Sequence, residues 1–254
     1  MKLRVAIFQM DIVWGDCNQN LQRVEEFVRS VEADLVVLPE MFLTGYNCSA
    51  DAAIPTNSPY IARLQSLADE SGRAVMGSVA VSEGGAIFTR LYLFAPDVAP
   101  QFYDKRHLFG MAGEGKVFSA GEERVVMEYR SWRILPLVCY DLRFPVWSRQ
   151  QGDEYDLIVY SAEWASSRIS SWSRLLPARA IENLAYVVGV NRVGDDPSAH
   201  YSGGSVVLSP LGDVVASVVD DEEGGAVALI DRGVVERLRS RFPAPADADK
   251  FEII

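Results

Sequence analysis

Short apolar runs alternate with amphipathic segments along the whole chain, and this alternation is what most narrows the fold. Runs suited to buried strands occur at Leu3–Phe8, Leu35–Leu38, Ala74–Val79, Phe88–Phe94, Ile134–Val138, Leu157–Tyr160, Tyr186–Asn191, Ser205–Leu208, Val214–Val218 and Ala226–Ile230. Between them Asn20–Glu32, Tyr60–Glu70, Pro145–Gln151, Ser171–Asn183 and Val234–Arg241 read as helices, with Asn18 and Ser58 as candidate starts. That order predicts a layered α/β protein. The late runs, separated by Pro210-Leu211-Gly212-Asp213 and by Glu222-Glu223-Gly224-Gly225, predict antiparallel strands joined by tight turns and hence a mixed sheet. With 254 residues, 49% of them hydrophobic, the chain can bury one large core, so residues 1–254 are read as a single domain. Asp195–His200 is the most loop-like stretch and is expected to cover part of a site or of the surface. The tail Phe242–Asp249, interrupted by Pro243 and Pro245, is expected to run extended before an apolar end, Phe251–Ile254, that needs a partner.

The formal charge of −11 argues against a nucleic-acid or anionic-membrane surface, because such binding depends on clustered positive charge. Cys17, Cys48 and Cys139 form no disulfide framework and show no C-x-x-C spacing, which implies a reducing compartment. An acid already at Asp11 argues against a signal peptide, and no apolar run approaches membrane-spanning length, so a cytoplasmic location is expected.

Three segments carry chemistry. The run Leu135-Pro136-Leu137-Val138 stops at Cys139, and the polar stretch Tyr140-Asp141-Leu142-Arg143-Phe144-Pro145 opens a helical segment. A strand delivering a cysteine to a sharp turn ahead of a helix aims backbone N–H groups at the sulfur, which should lower the thiol pKa. Asp34-Leu35-Val36-Val37-Leu38-Pro39 places Glu40 at the top of a strand, and Tyr103-Asp104-Lys105-Arg106-His107-Leu108-Phe109 sets a basic cluster among aromatics. Taken singly, these are more often a core cysteine, a solvated strand-end acid and a surface lysine. Taken together they form an ordered Glu, Lys, Cys set, and strand ends on one edge of an α/β sheet converge on a single crevice.

These segments resemble the motifs of the nitrilase superfamily, the carbon-nitrogen hydrolases with a Glu-Lys-Cys triad. Leu38-Pro39-Glu40-Met41-Phe42-Leu43-Thr44-Gly45-Tyr46 is similar to the glutamate motif, Tyr103 to Phe109 to the lysine motif, and Val138 to Pro145 to the cysteine motif. Arg179 to Arg192 resembles the helix-to-strand stretch that follows the cysteine. The likeness runs in order from Lys2 to about the C-terminus. Tyr103 to Glu114, Trp132 to Arg149 and the stretch around Glu163-Trp164-Ala165 resemble the bacterial omega-amidase branch. The resemblance implies a four-layer α-β-β-α sandwich, a homodimer paired across a helical face, and hydrolysis of the omega-amide of short dicarboxylic monoamides such as 2-oxoglutaramate and 2-oxosuccinamate. Sister branches act on deaminated glutathione, carbamoyl compounds or nitriles with the same triad.

On this reading Cys139 is the nucleophile and Glu40 the general base. Lys105 with the Tyr140 backbone N–H forms the oxyanion hole, and Glu114 supports the lysine. No metal or organic cofactor is expected, because the triad supplies nucleophile, base and oxyanion charge. Arg143 either binds the substrate carboxylate bidentately or, the favoured reading, pairs internally with an acid such as Glu182. Arg168 is the alternative clamp, and Phe42, Tyr46 and Trp164 are candidate pocket walls. A Cys-His pair using His107 or His200 and a catalytically silent binding module on the same fold are the competing readings. Gly110 to Val117 has P-loop glycine spacing, but Val117 stands where a Mg-binding Ser or Thr is required and no strand leads into it.

Overall fold

A computed structural model of the protein describes residues 1–252. In chain order, β1 (Lys2–Gln9), β2 (Leu35–Val37), β3 (Ile54–Pro55), β4 (Ala74–Glu83), β5 (Ala86–Phe94) and β6 (Gln101–Asp104) belong to a first sheet. A second sheet begins with β7 (Met127–Tyr129), β8 (Trp132–Val138), β9 (Leu157–Ala162) and β10 (Tyr186–Asn191). After a two-stranded ribbon, β11 (Val193–Asp195) and β12 (His200–Ser202), it is completed by β13 (Val206–Leu208) and β14 (Val214–Ser217). The last strand, β15 (Gly224–Asp231), returns to the first sheet beside β1. The α-helices are α1 (Cys17–Ser30), α2 (Pro59–Ser71), α3 (Pro145–Ser148), α4 (Ile169–Asn183) and α5 (Arg232–Arg241). The strand orders are β15-β1-β2-β4-β5-β6, with β3 beside β4, and β14-β13-β10-β9-β8-β7. In each sheet a parallel centre is flanked by antiparallel strands, so both are mixed.

The two-residue period of β1 sets the layering. Leu3, Val5 and Ile7 join Leu35, Val37 and Met76 in a core shared with Trp132, Ile134, Ile158 and Val187 of the second sheet. Ala6 and Phe8 point the other way and pack with Val24 and Val28 of α1 and Leu64 and Leu67 of α2. Across the molecule α4 lies against β10, where a Cβ on Gly189 would come within 2.6 Å of Leu176 and 2.9 Å of Trp172. The result is the α-β-β-α sandwich.

Local chemistry explains where the elements begin. Ser58 caps α2 by accepting from the Tyr60 N–H, Pro59 occupies its first turn, and Gly72 ends it in the left-handed region. Helix α1 starts earlier than its apolar pattern predicts, because Asp16 rather than Asn18 accepts from the Gln19 N–H. Helix α3 stops at Ser148, short of the expected Gln151, and Arg149 is already extended. The expected hairpin between β14 and β15 does not form. Only β13 and β14 pair, and the chain then crosses to the other sheet, where β15 runs antiparallel to β1 over its whole length. The tail is not wholly extended, since Ala244–Asp247 forms a 3-10 turn. Ile253 and Ile254 of its apolar end lie outside the described residues.

Strand polarity positions the site. Strands β2, β8, β9 and β10 end at one edge, and Glu40, Cys139, Glu163 and Arg192 lie within three residues of those ends. Lys105 directly follows β6. A hydrogen bond of 3.0 Å from Ser161 Oγ to the Leu38 carbonyl ties the two sheets together at this edge.

Candidate active site

Lys105 is the hub of a buried charge cluster. Its Nζ donates to Glu40 Oε1 at 2.8 Å and to both oxygens of Glu114 at 3.0 Å, and all three side chains are 0% exposed. Glu114 also accepts from Tyr46 Oη at 3.1 Å, Thr89 Oγ1 at 3.1 Å and the Phe109 N–H at 2.6 Å. Burial works against the lysine's charge, but Glu40, Glu114 and Cys139 outweigh it and hold its pKa well above the ordinary value. Its neighbours thus favour the ammonium form. Burial raises the Glu40 carboxyl, Lys105 opposes the rise and Glu114 adds to it, leaving a base stronger than an ordinary carboxylate.

Cys139 begins a 3-10 turn, Cys139–Arg143, directly after β8, with φ at +42°. A non-glycine residue in the left-handed region stores about 1–3 kcal/mol of strain. Asp141 holds the turn in place. Its carboxylate accepts from the Val138 N–H at 2.9 Å, Tyr103 Oη at 2.9 Å and the His107 N–H at 3.0 Å, coupling the cysteine turn to the lysine segment. Met41, next to Glu40, is left-handed too, with φ at +43°, and its N–H donates to Ser78 Oγ. The expected lowering of the thiol pKa is overturned. Burial and then Glu40 push Cys139 well above the ordinary thiol value, and its Sγ donates to the Glu163 carbonyl at 3.7 Å.

The cluster opens into a cavity of about 230 Å³ lined by Tyr46, Lys105, Cys139, Tyr140 and Trp164, with Arg143 and Arg168 on its wall. Among the described residues neither guanidinium has a carboxylate partner or a hydrogen-bond acceptor. Arg143 lies 4.8 Å over the Trp164 ring and Arg168 5.0 Å over the Phe109 ring. Ser198, Ala199 and Tyr201 from the β11–β12 ribbon close one side, so the Asp195–His200 loop does cover part of the cavity.

A sequence profile described as carbon-nitrogen hydrolase matches residues 4–240. The chain belongs to the carbon-nitrogen hydrolase family. It is 43% identical to the omega-amidase YafV of Yersinia enterocolitica, with 99% of each chain covered. It is 33% identical to a 2-oxoglutaramate amidase of Bacillus subtilis, over 98% of this chain and 99% of the relative. Its fold matches a CN-hydrolase superfamily protein of Xanthomonas campestris, solved with an arsenic adduct in its active site, at a TM-score of 0.96 and 38% identity, covering 100% and 99% of the two chains.

Within this carbon-nitrogen hydrolase, Glu40, Lys105, Glu114, Cys139 and Tyr140 meet at one point, and Tyr46, Trp164, Arg143 and Arg168 surround it. Phe42 does not. It is buried in the outer core against β4, where a Cβ on Gly77 would meet its ring at 3.0 Å. The internal pairing of Arg143 with Glu182 is also absent, because Arg179, one turn away on α4, takes that acid at 3.1 Å. Neither histidine serves as a base for Cys139. The His107 Nδ1 is 2.8 Å from Asp141 Oδ1 and its ring stacks on Phe144, while His200 is exposed between Asp195 and Asp221. Asp141, Glu163, Asn191 and Arg192 fall within the motif stretches but were assigned no role from the sequence. Asn191 bonds the Trp164 N–H and carbonyl at 2.7 and 2.9 Å, fixing that wall. The signal available for all four was their place at or just beyond the ends of β8, β9 and β10.

Proposed function

We propose that the protein is an amidohydrolase that cleaves the omega-amide of small dicarboxylic acid monoamides through a Glu40-Lys105-Cys139 triad and a thioester. The observation that carries this reading is one cavity in which Cys139 and Lys105, held by Glu40 and Glu114, face two arginines that have no carboxylate partner among the described residues. Glu40, deprotonated, takes the proton of Cys139 as Sγ attacks the amide carbon. The resulting oxyanion is met by the Tyr140 N–H and by the charge of the Lys105 ammonium, whose hydrogen bonds go to Glu40 and Glu114. As the C–N bond breaks, Glu40 returns the proton to nitrogen and ammonia leaves. Glu40 then takes a proton from water as its oxygen adds to the thioester carbonyl, and passes that proton to Sγ as the C–S bond breaks and the acid leaves.

The relatives support the acyl group. The chain is similar over nearly its full length to proteins described as omega-amidase and 2-oxoglutaramate amidase. An acid with its amide at the far end suits a site in which Arg143 or Arg168 binds the carboxylate and so sets the distance to Cys139. The cavity volume of about 230 Å³ is smaller than the roughly 300–1,000 Å³ of drug-sized sites, which favours such a short acid over deaminated glutathione. The same reading has the enzyme act as a cytoplasmic homodimer. Light scattering of the purified protein tests the dimer. Ammonia release from 2-oxoglutaramate, 2-oxosuccinamate, glutamine, deaminated glutathione and propionamide tests the substrate, and the first two should be turned over best. Equal rates on propionamide would overturn the assignment.

A further inference from the structure

Glu163, the first residue beyond β9, touches the reacting groups through its backbone while its side chain takes no part in the mechanism above. Its N–H donates to Glu40 Oε2 at 3.0 Å and its carbonyl accepts from Cys139 Sγ. The side chain is 0% exposed in the cavity wall, with Oε2 at 3.4 Å from Arg192 Nη1 and Oε1 without a partner among the described residues. Arg192 is an incomplete counter-ion. Its Nε and Nη2 donate to the carbonyls of Val193, Ile12 and Asp195, and Asp11 lies 3.5 Å from Nη2. A buried carboxylate with one long contact and one orphaned oxygen is costly, and protonating it leaves Arg192 the carbonyls of Ile12, Val193 and Asp195 and the Asp11 carboxylate as partners.

We propose that Glu163 is a specificity-determining residue that stays a neutral acid in the cavity wall, so that the unpaired charges presented to substrate are the cations Arg143 and Arg168. Ionised, it sets a negative charge beside an anionic substrate and weakens binding. The groups around it are Arg192 at the end of β10, Asp196 and Tyr201 of the ribbon, and Glu40 after β2. Burial drives its carboxyl up, Arg192 resists, and Glu40 and Asp196 add to the rise, to about 8. Asp196, Tyr201 and Cys139 are silent there. Hydrogen bonds from Tyr201, Ser198 and Ala199 outweigh burial at Asp196 and hold it low, while burial keeps Tyr201 and Cys139 high.

This inference rests on the carboxylate-binding reading, and the test separates the two. KM for 2-oxosuccinamate and for its methyl ester is measured from pH 6.5 to 9.5 in the wild type and in Glu163→Gln, which keeps the shape and removes the titration. For the free acid, KM in the wild type should rise roughly five- to tenfold across pH 8, and in Glu163→Gln it should stay flat. The ester should show no such rise in either protein. A flat wild-type KM for the acid, or a rise that persists in Glu163→Gln, overturns the role of Glu163 even where the acid is preferred over the ester. Equal KM for acid and ester throughout overturns the substrate reading and this inference together.

Discussion

The Glu163 N–H lies 3.0 Å from Glu40 Oε2, while Lys105 Nζ occupies the other oxygen of the same carboxylate at 2.8 Å. Glu40 is thus held from both sides by donors on different sheets, one at the end of β9 and one after β6. Its orientation is set before substrate arrives, which suits the proposed base for a thiol that is itself buried and weakly acidic.

Removing the base should separate thiol activation from binding. Glu40→Gln is expected to lose at least about 10²-fold in kcat and to slow alkylation of Cys139 by iodoacetamide. Equal alkylation rates in wild type and variant would show that another group takes the proton.

Lys105→Ala removes the oxyanion charge and should cost about 10²–10³-fold in kcat. Glu114→Gln should act in the same direction but less strongly, because the Lys105 ammonium keeps Glu40 as a partner. Combining either with Glu40→Gln should cost less than the product of the single effects, since the groups act as a unit. Steady-state kinetics of the single and double variants check this.

Glu163 also links pH to stability. Its carboxyl rises from an ordinary 4.5 to about 8 on folding, so the folded chain binds this proton more tightly. The stabilisation from that proton is complete below pH 4.5 and is lost as pH rises through 8. Glu163→Gln should therefore gain Tm relative to the wild type at pH 8.5 compared with pH 5. Thermal melts at the two values check the sign, and a constant difference would place the ionisation elsewhere.

Single Arg143→Ala and Arg168→Ala variants identify the carboxylate clamp. The true clamp variant should lose the preference for 2-oxosuccinamate over its methyl ester, mostly through KM, while the other keeps it. Prolonged EDTA treatment should leave ammonia release unchanged, because each step is assigned to a side chain or backbone group.

Much of this architecture is legible in the chain, for reasons that can be named. The parallel strands at both sheet centres are buried on both faces, so β1, β2, β8, β9 and β10 read as continuous apolar runs. Where each run stops, a charged or reactive residue follows, and Glu40 and Cys139 could be found that way. The short strands β6, β7, β11 and β12 lack such runs, and their pairing is decided by tertiary neighbours. The path of β15 was hidden for a similar reason, since a tight turn and a crossover between sheets begin with the same Glu-Glu-Gly-Gly chemistry. Phe42 was misplaced because the turn at left-handed Met41 re-aims the next side chain into the outer core. Glu163 lies in a family-like stretch but was given no role of its own. Only the structure shows its backbone on Glu40 and Cys139 and its carboxyl in a dry wall.

The account stands or falls on Cys139. Ammonia release from 2-oxoglutaramate should be measured for the wild type and for Cys139→Ser, with circular dichroism showing that both are folded. The prediction is turnover by the wild type and its loss in the variant, accompanied in the wild type by a thioester adduct on Cys139 in quenched samples examined by mass spectrometry. Substantial ammonia release by folded Cys139→Ser would contradict the nucleophile assignment and the mechanism built on it.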